Sequence, residues 1–247
     1  MDSFISWIGG KKLLRKKILE QFPSQYSRYV EVFGGAGWVL FAEERKTDLE
    51  VYNDMDSSLV NLFRCVKHHP DALQKELEWI LYSRELFFDA REDSRGLTDI
   101  QRAARFFVLI KESFGADCHS FGGRRRDMEK AVNYLREVSV RLNQVVVEHM
   151  DFERLLKVYG RPDALFYLDP PYFHTESYYD VKFEPKDHIR LRDALGRVQG
   201  RFLLSYNDCE EARELYKGFV ILEVDRSSNL SSGVHKKCYP ELIIKNY

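Results

Sequence analysis

The sequence predicts an α/β fold: a mostly parallel sheet of about seven strands with helices on both faces and a helical insertion. Two observations predict this class. Short apolar segments of strand type alternate with segments of helical length and period, which is the pattern of a parallel sheet. One long stretch, from about residue 59 to about residue 142, is helical in pattern and contains no convincing strand.

The predicted elements follow in chain order. Strands are expected at residues 29–33, 49–52, 145–148, 164–168, 201–205, 219–224 and 242–244. Helices are expected at residues 12–22, 39–45, 187–198 and 210–217, and within the insertion at 71–82, 99–113 and 128–142. Residues 114–126 contain two adjacent glycines and are expected to form a loop or hairpin. The chain therefore divides into a sheet domain, residues 1–58 and 144–247, and an insertion, residues 59–143.

Composition excludes several classes of protein. With 44% hydrophobic and 14% aromatic residues among 247, the chain is neither disordered nor collagen-like. The four cysteines are scattered without a C-x-x-C pair, which predicts free thiols in a reducing compartment. The sequence contains no Cys/His cluster, so no metal site is expected. Neither a signal peptide nor a membrane span can be placed, so we expect a cytoplasmic protein.

A glycine-rich turn follows the first predicted strand and precedes a helix. Gly34, Gly35 and Gly37 let the backbone come close to a ligand, and the helix N-terminus presents free N–H groups. Asp54 lies 20 residues after Gly34, at the end of the next strand, where a carboxylate can accept hydrogen bonds from both ribose hydroxyls. Apolar residues stand where a dinucleotide-binding loop has its third glycine. A cofactor with an adenosine end and no phosphate therefore fits better, which points to S-adenosylmethionine; the alternative is a tight turn and an acid that caps the next helix.

A second motif ends the strand at residues 164–168. Asp169, Pro170, Pro171 and Tyr172 come at the carboxyl end of this strand, where open α/β sheets bind ligands. The prolines remove two N–H donors, so that the Asp169 carboxylate and the Pro170 carbonyl form a rigid acceptor pair beside an aromatic ring. This arrangement suits a primary amine on a flat heterocycle. The alternative is a Pro-Pro turn with Tyr172 packed in the core.

Together these motifs resemble the Dam-type DNA adenine-N6 methyltransferases. The matching segments, in the family's order, are residues 4–11 with Trp-x-Gly-Gly-Lys, 33–37, 169–172, 204–208, 226–229, 236–237 and 241–242. The resemblance implies a Rossmann-like S-adenosylmethionine-dependent methyltransferase sheet. It assigns residues 1–58 and 144–247 to the catalytic domain and residues 59–143 to a helical target-recognition insertion.

The resemblance also implies roles for individual residues. Contacts with S-adenosylmethionine are expected from Trp7, Lys11, Phe33, Gly34, Gly35, Gly37, Asp54, Asp151, Phe152 and Asp169. Asp151 and Phe152 correspond to a weaker element that flanks the cofactor's adenine; the alternative is a helix cap and a core aromatic. For Lys11 the alternative is a solvated lysine at a helix start.

The reaction that the resemblance implies requires a base to leave the duplex. The target adenine would be flipped out at a cost of a few kcal/mol, which stacking on Tyr172 would partly offset. The methyl group would then pass from the sulfonium to the exocyclic N6 amine. Asp169 would act as an orienting acceptor rather than as a general base, because the amine loses its proton easily once methylated.

Basic residues are segregated along the chain. Residues 11–17, 118–126 and 226–237 contain no acid and hold eleven of the 38 lysines and arginines, although the formal net charge is -1. Such clusters supply phosphate contacts, and an arginine can read guanine; a solvated face is the alternative. The candidate DNA-binding residues are Arg124, Arg125, Arg126, Arg226, Ser227, Ser228, Asn229, Lys236 and Lys237. The remaining chain is acidic and would repel DNA.

Two other functions remain open from sequence. The chain is compatible with a DNA-binding regulator that has lost catalysis, and with methylation of an amino group on cytosine or an RNA base. Asp at the head of the second motif favours adenine. Among adenine targets GATC is the leading candidate, although the Asn-Val-Pro-x-Gly-like element of GATC-reading relatives is missing. We expect double-stranded DNA as partner, a cognate restriction enzyme as a further candidate, a bacterial or phage source, and a monomer or weak dimer.

Overall fold

The computed structural model describes residues 1–42, 47–80, 83–92, 95–122, 127–175, 182–227 and 238–247. For residues 226–227 and 238–239 it describes the backbone alone. These ranges contain all of the predicted strands and most of the predicted helices. The candidate DNA contacts at residues 124–126, 228–229 and 236–237 lie outside them.

One mixed sheet organises the described part of the chain. Its seven strands are β1 Arg28–Glu31, β2 Leu49–Asn53, β3 Val145–Glu148, β4 Ala164–Leu168, β5 Arg201–Asn207, β6 Val220–Ser227 and β7 Cys238–Lys245. The spatial order is β3-β2-β1-β4-β5-β7-β6, and the first five are parallel neighbours. Strand β7 runs antiparallel to both β5 and β6. The predicted mostly parallel sheet of about seven strands is therefore confirmed.

The described residues form ten α-helices, of which the first precedes β1 and the other nine lie in the connections between strands. They are α1 Arg15–Glu20, α2 Trp38–Ala42, α3 Ser57–His68, α4 Pro70–Glu78, α5 Arg84–Glu92, α6 Asp99–Glu112, α7 Met128–Leu142, α8 Phe152–Tyr159, α9 Pro185–Leu195 and α10 Glu210–Leu215. Helix α7 has the predicted bounds, whereas α3, α5 and α8 were not individually predicted. Strand β1 ends at Glu31, two residues before the predicted end, because the chain turns there into the glycine loop.

The core has two layers, one on each face of the sheet. Alternate residues of a strand join opposite layers, as the two-residue period of a strand requires: Tyr167 packs into one and Phe166 into the other. The layer containing Tyr167 also takes the buried residues of α3, α4, α6 and α7. The helices between β2 and β3 therefore share a core with the sheet, and the division of the chain at residues 59–143 remains a proposal.

An ion pair and a hairpin shape this helical segment. On α7, the Arg141 guanidinium contacts both carboxylate oxygens of buried Glu50 on β2, at 2.6 and 2.8 Å. After α6 the chain reverses, with an antiparallel bridge between Ser113 and Phe121. The loop or hairpin predicted for residues 114–126 is confirmed as far as residue 122. None of the helices in the described ranges is long and apolar enough to cross a membrane.

Candidate active site

The candidate site is a pocket at the carboxyl ends of β1 and β4. These strands are neighbours, and the connections that leave them run in opposite directions along the sheet, β1 towards β2 and β4 towards β5. Open α/β sheets bind ligands at such a point because the two connections leave a crevice between them. Both sequence motifs contribute to its wall, through Gly34 and Gly35 from one and Asp169 and Pro171 from the other.

The glycine loop takes a shape that side chains would prevent. The N–H of Gly34 donates to the Asn53 carbonyl at 2.7 Å, which holds the loop against the end of β2. A Cβ atom on Gly34 would lie 2.3 Å from the Tyr52 ring, closer than any real contact. Gly35 has a φ of 49°, in the left-handed region that favours glycine. The loop therefore requires glycine at both positions.

Asp54 is tied to the glycine loop by backbone hydrogen bonds. Its carboxylate accepts from the Gly35 N–H at 2.8 Å through one oxygen and from the Asp56 N–H at 2.8 Å through the other. Burial raises the pKa of Asp54 to about 6, against the lowering effect of these N–H donors. The side chain lines the pocket. Asp54 therefore both fixes the glycine loop and faces the predicted cofactor position.

Glu31 is a pocket residue that the sequence interpretation missed. It ends β1, is 2% exposed, and accepts hydrogen bonds from the Tyr29 hydroxyl at 2.7 Å and the Leu40 N–H at 2.8 Å. Burial raises the pKa of Glu31 to about 8. An acid inside an otherwise apolar strand segment, directly before a glycine loop, was the available signal.

Asp169 meets a lysine that lies far from it in sequence. The Lys11 ammonium is 2.8 Å from Asp169 Oδ1 and donates to the Gly9 carbonyl at 2.9 Å. Ser205 on β5 donates to the same Oδ1 at 2.9 Å. Lys11 is 4% exposed, so the alternative of a solvated lysine is wrong.

Tyr172 is held by three neighbours. Its hydroxyl donates to Glu241 on β7 at 2.9 Å, and its ring stacks on Tyr206 with centroids 5.6 Å apart. The Lys11 ammonium lies 4.7 Å from the ring centroid, a cation–π distance. Burial and the nearby Asp169 and Glu241 carboxylates raise the pKa of Tyr172 well above its ordinary value.

An aromatic group forms another side of the pocket. Phe33, Phe152 and Phe183 contact one another, with ring centroids 5.8 to 6.1 Å apart. Asp151 caps α8 by accepting from the Glu153 N–H at 3.0 Å, and also lines the pocket. The helix-cap alternative is thus correct for Asp151 without excluding contact with a ligand. No motif pointed to Phe183.

The helical segment closes a further side of the pocket. Phe106 on α6 meets Trp7 edge-to-face at 5.9 Å, and the hairpin contributes Ala116, Asp117, Cys118 and His119. Sequence reasoning assigned these four residues to the insertion without linking them to the cofactor. Their contribution follows from the packing of α6 against α3 and α4, which no local pattern encodes.

The structure brings most of the predicted cofactor and catalytic residues together. Those lining the pocket are Trp7, Lys11, Phe33, Gly34, Gly35, Asp54, Asp151, Phe152, Asp169 and Pro171. Pro170, Tyr172 and Gly37 belong to the same two motifs but are not among the lining residues. The backbone of Arg226 and Ser227, two of the predicted DNA contacts, lies at the end of β6; the structure does not describe their side chains. Over the described part of the chain, no group of three or more metal-ligating side chains is found.

The geometry agrees with a comparison with known families. Residues 7–230 match the model of the D12 class N6 adenine-specific DNA methyltransferases. The chain belongs to this family.

Individual relatives of this D12-class enzyme cover nearly the whole chain. The type II methyltransferase M1.LlaDCHI of Lactococcus lactis subsp. cremoris is 29% identical, over 99% of this chain and 95% of its own length. The type II methyltransferase M.CviBI of Paramecium bursaria Chlorella virus NC1A is 22% identical over the full length of both. The DNA adenine methylase of Haemophilus influenzae is 23% identical, over 95% of this chain and 89% of its own length. The D12-class chain is thus an adenine-specific DNA methyltransferase.

Proposed function

We propose that this D12-class enzyme transfers a methyl group from S-adenosylmethionine to the N6 amine of an adenine flipped out of duplex DNA. The observation that carries the proposal is the meeting of the glycine loop and Asp169 in one pocket. The first suits an adenosine-containing donor, and the second suits an exocyclic amine. Their proximity permits a direct transfer between the two ligands.

The charge of the pocket supports a cationic donor without phosphates. Among its described lining residues, six aspartates face three lysine or arginine side chains: Asp54, Asp56, Asp117, Asp151, Asp169 and Asp187 against Lys11, Lys182 and Arg190. Glu31 also lines the pocket, but its raised pKa of about 8 leaves it mostly protonated at neutral pH. The loop N–H of Gly35 and the α2 N–H of Leu40, which could otherwise bind phosphate, both donate to carboxylates. A pyrophosphate would be repelled here, whereas a sulfonium would be attracted.

The shape of the pocket supports an adenosine group. Phe33, Phe152 and Phe183 provide aromatic surface for a flat purine, and Asp54 faces the same space from the end of β2. Bound there, S-adenosylmethionine would supply an electrophilic methyl group. The Trp7 ring lies close to the backbone of Gly35 in the pocket lining: a Cβ atom on Gly35 would lie 3.1 Å from it.

Asp169 is arranged to orient the target amine. Lys11 and Ser205 both contact its Oδ1, so that Oδ2 has no protein partner among the described residues. A target N6–H can donate to Oδ2 and a second N–H to the Pro170 carbonyl, which directs the nitrogen lone pair towards the methyl group. The N–C bond forms as the C–S bond breaks, and the amine then releases a proton. Preorganised acceptors of this kind stabilise the positive charge that develops on nitrogen.

Replacement of Asp169 tests the proposal. We expect Asp169→Ala to abolish transfer of a tritiated methyl group from S-adenosylmethionine to duplex DNA, because the amine loses its orienting acceptor. Asp193→Ala, which removes a half-exposed acid on α9, should leave transfer unchanged. Circular dichroism verifies that both variants are folded. Turnover at the wild-type rate by Asp169→Ala would contradict the assignment.

The target sequence GATC stays a prediction that rests on the Dam-type resemblance. The arginines expected to read it, Arg124 to Arg126, lie outside the described residues. Sequencing of modified bases in DNA treated with the protein reports the methylated base and its context together. Methyl groups on adenines of another sequence would contradict the GATC prediction and leave the proposed reaction intact.

A further inference from the structure

Lys11 lies between two carboxylates, those of Asp169 and Glu241, and the proposed reaction uses only Asp169. Its ammonium is 2.8 Å from Asp169 Oδ1 and 3.8 Å from Glu241 Oε2. Lys11 and Glu241 are 4% and 3% exposed, so that water screens their interaction weakly. One lysine thus lies within ion-pair distance of two acids.

Glu241 reaches this position through the antiparallel part of the sheet. It lies on β7 opposite Asn207 of β5, one step from the pair of Tyr206 with Leu242. This register brings Glu241 to the carboxyl end of β5, beside the segment that follows β4. The same Oε2 that faces Lys11 accepts the Tyr172 hydroxyl at 2.9 Å.

The charge balance has a consequence for Asp169. If Lys11 faced Asp169 alone, the ammonium would neutralise the carboxylate, and Asp169 would be a weaker acceptor for an amine on which positive charge develops. With Glu241 present, the three groups carry a formal charge of -1. Lys11 can then fix the position of Asp169 while the cluster retains its attraction for positive charge.

We propose that Glu241 is a positioning residue for methyl transfer, which offsets the charge of Lys11 so that Asp169 retains its strength as acceptor for the target amine. Glu241 also fixes the Tyr172 ring through its hydroxyl. This role rests on the proposed function, because it assigns the amine to Asp169. It places a functional residue more than 60 positions after the Asp-Pro-Pro-Tyr motif, on the only described strand that runs against the others.

Two substitutions separate the charge of Glu241 from its shape. Glu241→Gln keeps the size and an acceptor for Tyr172 but removes the charge, whereas Glu241→Asp keeps the charge on a shorter side chain. Under single-turnover conditions with saturating tritiated S-adenosylmethionine and duplex DNA, we expect Glu241→Gln to be roughly 30-fold slower and Glu241→Asp to lose less than about tenfold. The dissociation constants for donor and DNA should change by less than about threefold.

Coupling to Lys11 gives a readout that needs no methyl donor. Unfolding in urea of the wild type, Glu241→Gln, Lys11→Gln and the double variant forms a double-mutant cycle. We expect the unfolding equilibrium constants to deviate from additivity by roughly tenfold or more, since each substitution removes the partner of the other. In the Lys11→Gln background, Glu241→Gln should slow methyl transfer by less than about threefold.

The outcomes distinguish this inference from the reaction on which it rests. Additive effects in the cycle would contradict the role of Glu241, as would a fully active Glu241→Gln variant. A Glu241→Asp variant that is at least as impaired as Glu241→Gln would show that shape matters rather than charge, and would also overturn the inference. These two variants decide the question even where Lys11→Gln is too unstable to assay. A wild-type protein that transfers no methyl group to adenine would contradict the proposed function itself.

Discussion

The two halves of the pocket hold their carboxylates by different means. In the half formed by β1 and β2, Glu31 and Asp54 each accept at least one hydrogen bond from the backbone, at the N-terminus of α2 or in the loops beside it. In the half formed by β4, β5 and β7, Asp169 and Glu241 accept from the side chains of Lys11, Ser205 and Tyr172. Main-chain N–H groups help to hold both acids of the first half, together with the Tyr29 hydroxyl at Glu31, whereas the second half is held by the side chains of Lys11, Ser205 and Tyr172.

This difference indicates what each half tolerates. Backbone N–H groups persist through side-chain substitution. The half formed by β1 and β2, which we call the donor half because the methyl donor is proposed to bind there, should therefore lose its function when its shape changes. The half formed by β4, β5 and β7, which we call the base half, depends on charge and on individual hydroxyl groups, so it should lose its function when these are removed while the backbone is unchanged. A site fixed by backbone shape suits a methyl donor that is the same in every reaction cycle. A site built from side chains suits an amine that must be oriented at the moment of transfer.

After the loss of activity expected for Asp169→Ala, the largest expected effect comes from changing the shape of the donor half. In Gly34→Ala the new Cβ would lie 2.3 Å from the Tyr52 ring, so the loop must move away from the end of β2. We expect affinity for S-adenosylmethionine, measured by isothermal titration calorimetry, to fall by about 100-fold, and stability to fall by about 1–3 kcal/mol. Gly218→Ala is the control, because nothing lies within 4 Å of its Cβ. Equal donor affinity in both variants would contradict the shape requirement.

The buried acid of the donor half should produce a pH dependence of stability. Burial raises the pKa of Glu31 from its ordinary value of 4.5 to about 8. Between these values the folded state binds more protons than the unfolded state, so this contribution is fully present below pH 4.5 and is lost as pH rises towards 8. Glu31→Gln should remove a slope of up to about 1.4 kcal/mol per pH unit in that window.

Urea denaturation of the wild type and Glu31→Gln at several pH values measures this slope. Asp54, whose pKa burial raises to about 6, keeps its own smaller contribution at lower pH in both proteins. Plotted against pH, the free energies of unfolding of the two proteins should therefore have the same slope below about pH 5 and different slopes above it. Parallel curves across the whole range would show that Glu31 does not titrate in this window.

The smallest expected effect concerns a single hydroxyl of the base half. Ser205→Ala removes the hydrogen bond to Asp169 and a partner of the Tyr167 hydroxyl, and should cost about 1–2 kcal/mol of stability. Ser139→Ala is a matched control, since Ser139 is also buried and donates to the Lys67 carbonyl, on α3. Both should be destabilised, but only Ser205→Ala should lower kcat, by roughly three- to tenfold, with KM unchanged. An equal kcat in the two variants would contradict the positioning of Asp169 by Ser205.

Local patterns in the sequence determined much of this protein. The alternation of apolar segments gave the parallel sheet, because strands and helices leave different hydrophobic periods in a chain. The glycine loop and the Asp-Pro-Pro-Tyr segment revealed the site, because each is short enough for its backbone geometry to depend on its own residues. Family membership also follows from the sequence alone, through the match of residues 7–230 to the family model.

Tertiary structure alone decided which distant side chains complete these motifs. Ser205 and Glu241 reach Asp169 and Tyr172 because β5 lies beside β4 and β7 pairs antiparallel with β5. Lys11, which the family resemblance had already assigned to the site, joins them from the segment before α1. The raised pKa of Glu31 likewise depends on burial, which the whole core provides. A sequence encodes local geometry within a few residues, whereas charge balance in a pocket depends on strand order and register, and these are fixed only when the sheet has assembled.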